Sequence, residues 1–63
     1  MHTIQVHHSN NTHFEVLYYK HAIISIRRYN DSRPSGEAVE YDDLSLTERE
    51  AILLEIIKYL DNN

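Results

Sequence analysis

The stretch that most limits what this chain can become is its last quarter, Thr47 to Leu60, because its apolar residues recur at a helical period. Wound at about 100° per residue, Tyr59, Ile52, Ile56, Leu60, Leu53 and Ile57 fall on one arc of roughly 160°, and Glu48, Glu50, Glu55 and Lys58 lie outside it. This is an amphipathic helix. Leu54 stands just past the arc and widens the apolar surface to about 220°, more than a helix lying on one sheet needs to bury. The excess calls for a further cover, and a second copy of the chain would supply it.

The whole chain is small: its 63 residues form a single domain, 1–63, and a chain of this size buries only about 60% of the surface its unfolded form exposes. Without cysteine it has neither a disulfide framework nor a thiolate metal site, so oligomerisation is the expected reinforcement and a reducing, cytoplasmic setting the expected compartment. Met1 to Val6 lacks the basic and apolar pattern of a leader, and no apolar run is long enough to cross a bilayer, so no membrane contact is expected. The net charge of −4 is unevenly placed. Residues 1–36 carry Lys20, Arg27, Arg28 and Arg33 against Glu15 and Asp31, a net +2, together with all five histidines. Residues 37–63 carry Arg49 and Lys58 against eight acids, a net −6. The halves should present different electrostatic faces.

Upstream of the helix the period is two. Thr3 to His8 alternates, with Ile4 and Val6 on one face, and should form a short edge strand. Ser9 to Thr12 reads as a turn. His13 to Tyr19 follows, with Phe14, Val16 and Tyr18 on one face and Glu15, Leu17 and Tyr19 on the other, so both faces carry apolar weight. Lys20-His21 breaks the run without a glycine, which predicts a less favoured turn or a longer loop than the usual two-residue hairpin. Ala22 to Tyr29 is the most apolar strand, placing Ala22, Ile24, Ile26 and Arg28 against Ile23, Ser25, Arg27 and Tyr29.

Asn30 to Gly36 holds the only proline and the only glycine and reads as a flexible loop. Glu37 to Tyr41 can add a fourth strand before Asp42-Asp43 stops it. Two overlapping capping-box spacings, Ser45-x-x-Glu48 and Thr47-x-x-Glu50, then announce the helix, which Asp61-Asn62-Asn63 ends. Thr47 is the expected cap, with Leu46 stapled onto Ala51. The fold class is therefore α+β, a small antiparallel sheet of three to four strands followed by one C-terminal helix.

Five histidines in the first 21 residues match no zinc-ligand spacing, and adjacent residues such as His7 and His8 cannot both face one ion from a regular strand. No metal and no cofactor is expected. The serines have no nucleophile context, and the helix-start acids are explained by capping, so the chain does not read as an enzyme. The clearest chemical signal is the mixture of rings and cations on the strands, with Tyr18, Tyr41 and Phe14 near Tyr19, Lys20, Arg27, Arg28, Tyr29 and Arg33. Single-strand nucleic-acid binders set such stacking rings among phosphate-neutralising cations, although strands are rich in aromatics for packing reasons too.

The strand end Ile26-Arg27-Arg28-Tyr29, a glycine-containing loop at Gly36 and the Ser45-Leu46 pair leading into the helix resemble, over residues 13–60, the positive cofactor four family of transcriptional coactivators. That resemblance implies a homodimer whose helices pair and whose sheet holds single-stranded DNA. The chain departs from the pattern at Asp42-Asp43, where the family is basic, and at Ala51, where the family has an aromatic. Taken together, the sequence predicts a non-enzymatic regulatory protein that engages a protein partner as an adaptor or inhibitor, of the kind compact viral genomes encode. The alternative is a single-stranded nucleic-acid binder. In either case Tyr19, Lys20, Arg27, Arg28, Tyr29 and Arg33 are the expected contact residues, and Leu53, Leu54, Ile57 and Tyr59 the expected homodimer interface.

Overall fold

A computed structural model describes residues 1–9 and 11–62. Asn10 of the expected first turn and Asn63 of the expected helix end lie outside the described residues. Four strands, β1 (His2–Ser9), β2 (Thr12–Tyr19), β3 (Ala22–Asn30) and β4 (Arg33–Val39), precede a 3-10 turn at Tyr41–Asp43 and one helix, α1 (Leu46–Asp61). The strands form an antiparallel meander in the order β1-β2-β3-β4, which confirms the α+β class and leaves β1 and β4 as edges.

Period-two alternation sends Ile4 and Val6 of β1, Phe14, Val16 and Tyr18 of β2 and Ile26 of β3 to one face, where α1 covers them with Ile52 and Ile56 and Leu44 closes the side. Phe14, Val6, Val16 and Ile52 are completely enclosed. The helix lies chiefly over β1, so the far end of the covered face is finished by the 3-10 turn. Arg49 holds that turn in place by donating to the Tyr41 and Asp42 carbonyls at 3.1 and 2.7 Å. The Tyr41 carbonyl also accepts from the Leu44 N–H at 3.2 Å, which closes the turn.

Several local expectations are corrected. The helix is capped by Ser45, not Thr47: the Ser45 hydroxyl accepts from the Glu48 N–H at 3.3 Å and the Glu48 carboxylate from the Ser45 N–H at 2.9 Å. The Thr47 hydroxyl lies 3.2 Å from that of Ser45 instead of capping. Leu46 is thereby the first helical residue and is 69% exposed, so it staples nothing. The Lys20-His21 reversal, by contrast, is the less favoured turn, one of the two expected alternatives, and not the longer loop: Tyr19 pairs with Ala22, and φ is positive at both Lys20 (49°) and His21 (66°). This double positive φ matches the twist of the flanking strands, and non-glycine residues hold it at about 1 kcal/mol each.

The seven-residue loop expected at 30–36 is mostly strand. Asn30 Oδ1 accepts from the Arg33 N–H at 2.9 Å, Asp31 and Ser32 make the turn, and β4 begins at Arg33 and ends at Val39, short of the expected Tyr41. Pro34 is compatible because β4 is an edge strand and needs no N–H there. At Gly36, φ is +84° and a Cβ would come within 2.6 Å of the Tyr29 ring. The glycine makes room for that ring. In β3, the simple alternation fails because Leu17 pairs with Ser25 but Tyr18 with Ile23. Ile24 is an inserted residue, a β-bulge, and it is 52% exposed where alternation had placed it beside Ile26 in the core.

Candidate binding surfaces

Three surfaces gather the side chains that could recognise something: the uncovered face of the sheet, the sheet end at the β2–β3 turn, and the outer side of α1.

The uncovered face carries Gln5 and His7 from β1, His13, Glu15 and Leu17 from β2, and Arg27 and Tyr29 from β3, the residues that alternate with the core positions. Glu15 stands between Gln5, whose amide donates to it at 3.3 Å, and Arg27, its partner in β3. A row of rings crosses the next register position. The rings of His7 and His13 are 6.0 Å apart, and His13 lies parallel to Tyr29 at 4.8 Å. With His13 against one side and Gly36 beneath, Tyr29 is already packed and half-buried, so little of its ring is left for a base. The bulge adds apolar weight near the turn end of this face, since Ile24 and Ser25 together oppose Leu17.

Arg28 points the other way. From the covered face it donates to Glu37 of β4 at 3.0 Å and to Glu48 of α1 at 3.2 Å, tying β3, β4 and the helix start together. The Glu37 hydrogen bond raises its pKa above the usual arginine value, burial pulls down, and Glu48 adds to the rise. Burial on its own would push the Glu48 carboxyl up; bonds from Ser45 together with Arg28 outweigh it and hold the group below its ordinary value. Glu37 also sits 3.6 Å from Arg33. Of the six expected contact residues, Arg28 is thus ion-paired on the covered side, Arg33 is exposed with one long contact to Glu37, Arg27 and Tyr29 lie on the open face, and Tyr19 and Lys20 lie at the sheet end.

At that end, the Lys20 ammonium lies 5.2 Å from the Tyr19 ring centroid, and His2 and Tyr18 approach the Tyr59 ring at 5.1 and 6.1 Å. Between them is a cleft of about 340 Å³. A second cleft of about 350 Å³ opens on the other side of His21, lined by Ile23, Tyr41 and Leu53.

On α1, only half of the expected apolar arc is used. Ile52 and Ile56 are buried, and Tyr59 turns to the sheet and is partly buried. Leu46, Leu53, Ile57 and Leu60 fall within about 60° of one another on the helix, some 100° round from the core side, and all are exposed. Leu54 continues this bare stripe. Sequence reasoning missed Leu17 and Ile24 as surface residues; the apolar weight on both faces of β2 was the available signal for the first, and the second needed the bulge.

Among the described residues, no group of three or more His, Cys, Asp or Glu is placed to hold a metal ion, and no helix is long and apolar enough to cross a membrane. No family model matches the chain, and no curated protein or solved structure is found to be similar to it.

Proposed function

We propose that the protein is a small, cytoplasmic, non-enzymatic regulatory module that works as a homodimer and acts on a protein partner as an adaptor or inhibitor. The observation that carries this reading is the bare stripe of α1. Five aliphatic residues, Leu46, Leu53, Leu54, Ile57 and Leu60, stand exposed in one band on a domain too small to leave such surface to water. A two-fold pair of α1 helices would cover it. Antiparallel pairing suits the charges: Glu50 lies on the rim of the stripe, and a parallel pair would set Glu50 against its own copy. Reversing one helix moves the two Glu50 side chains apart and opposes the helix dipoles.

Light scattering should return twice the chain mass at micromolar concentration. Ile57→Glu should return the single-chain mass with unchanged far-ultraviolet circular dichroism, because Ile57 is exposed and lies outside the core of its own chain. A wild-type monomer at high micromolar concentration overturns the dimer.

The alternative, a single-stranded nucleic-acid binder like the positive cofactor four coactivators, is favoured less by the ion pairs. Of the expected contact cations, Arg28 is engaged by Glu37 and Glu48, Arg33 keeps a long, exposed contact with Glu37, Arg27 stands opposite Glu15, and Lys20 lies at the sheet end. So few contacts give weak binding that salt removes.

A further inference from the structure

The β2–β3 turn is built against its own stability. A two-residue hairpin turn with positive φ at both positions is made most easily by Asn-Gly, yet the chain places Lys20 and His21 there and strains both. Neither side chain is needed inside the fold, as both are exposed. What they do is frame the cleft at the sheet end. Lys20 and His21 stand on one side, His2 on another, Tyr18, Tyr19 and Tyr59 supply the walls, and Leu60, the end of the helix stripe, borders the cleft. None of the described residues lining this cleft is an acid, in a chain whose net charge is −4.

We infer that this cleft is a binding site for an acidic, aromatic-containing peptide segment. The inference rests on the reading of the protein as a partner-binding module and names the chemistry of the partner. The Lys20 ammonium and the ring N–H groups of His2 and His21 are donors, and they suit carboxylates, which only accept. The Tyr18, Tyr19 and Tyr59 rings offer apolar walls with a polar rim, the surface on which an apolar or aromatic side chain of the same peptide packs. The cleft volume of about 340 Å³ accommodates a side chain or two and not a folded element. The strained turn then follows from function, since relaxing it with Asn and Gly would remove the cation and one donor together.

The test uses fluorescence anisotropy of the full chain with a labelled ten-residue peptide alternating glutamate and phenylalanine, beside its lysine-for-glutamate counterpart. The acidic peptide should bind with an affinity that falls as salt rises, and the basic one should not. The double variant Lys20→Asn, His21→Gly should melt higher by about 4 °C or more, because the turn relaxes, while losing about tenfold or more in affinity. Lys20→Glu, a change at an exposed position, should lose binding with the melting temperature nearly unmoved. Equal binding by the relaxed-turn variant overturns the inference, as does tighter binding of a single-stranded oligonucleotide than of the acidic peptide. Failure of the wild type to bind the peptide, with the dimer intact in light scattering, removes this site and leaves the homodimeric reading of the helix standing.

Discussion

Ile52 and Leu53 are neighbours in sequence, similar in size and equally apolar, and they have opposite fates. Ile52 is completely enclosed between α1 and the sheet, whereas Leu53 belongs to a stripe that the chain leaves largely exposed. The same holds for Ile56 and Ile57, identical residues one position apart. Hydrophobic periodicity reports which side chains a helix can bury; the width of the sheet beneath decides which it does. Here α1 lies chiefly along β1 and reaches little beyond it, so one side of its arc is left over.

The largest test of this contrast is a pair of truncations. Ile52→Ala empties the centre of the core and should destabilise the fold by about 2 to 5 kcal/mol, read from the urea midpoint. Ile57→Ala, measured at concentrations low enough to dissociate any dimer, should stay within about 0.5 kcal/mol of wild type. Equal losses would mean that the two sides of the helix are not distinct. The start of the helix gives a smaller version. Ser45→Ala should cost about 0.5 to 2 kcal/mol because Ser45 is the cap, and Thr47→Ala should change little.

The finest test is pH. Because the folded Glu48 carboxyl is held below its ordinary value, the unfolded chain binds the proton more readily, and stability from this group is present above a pH of about 4.5 and lost as pH falls through its folded pKa. Thermal melts of Glu48→Gln should therefore show a shallower loss of stability on acidification than the wild type. An unchanged slope would mean that the junction of Arg28, Glu37 and Glu48 does not help to hold the covered side together.

The elements themselves were legible because each carries its own period: Ile4 and Val6, then Phe14, Val16 and Tyr18, then the helical repeat of Ile52 and Ile56. What alternation could not show was an inserted residue. Ile24 keeps the composition of a core strand and leaves the core because of one shift in register. Pro34 and Gly36 suggested a loop, since punctuation by these residues usually marks one, but an edge strand accepts the proline and the Tyr29 ring requires the glycine. The choice of Ser45 over Thr47 lay between two overlapping capping spacings, and Glu48 also reaches Arg28, a residue distant in sequence. The candidate contact residues divided for the same reason. Arg27 and Arg28 are adjacent and so face opposite sides, and which side carries the acids is a property of the fold.

The meander has one more consequence, for the order of assembly. Every strand pairs only with its neighbours in sequence, whereas the helix at the end of the chain returns to the first strand. Pairing of β1 to β4 closes short loops and is rapid; the contact between α1 and β1 spans nearly the whole chain. During synthesis the sheet can therefore begin to form while its apolar face is still open, and that face is shielded only when α1 emerges from the ribosome. For that interval the nascent chain is a sheet with one sticky side, and the last sixteen helical residues, Leu46–Asp61, are the act of closure.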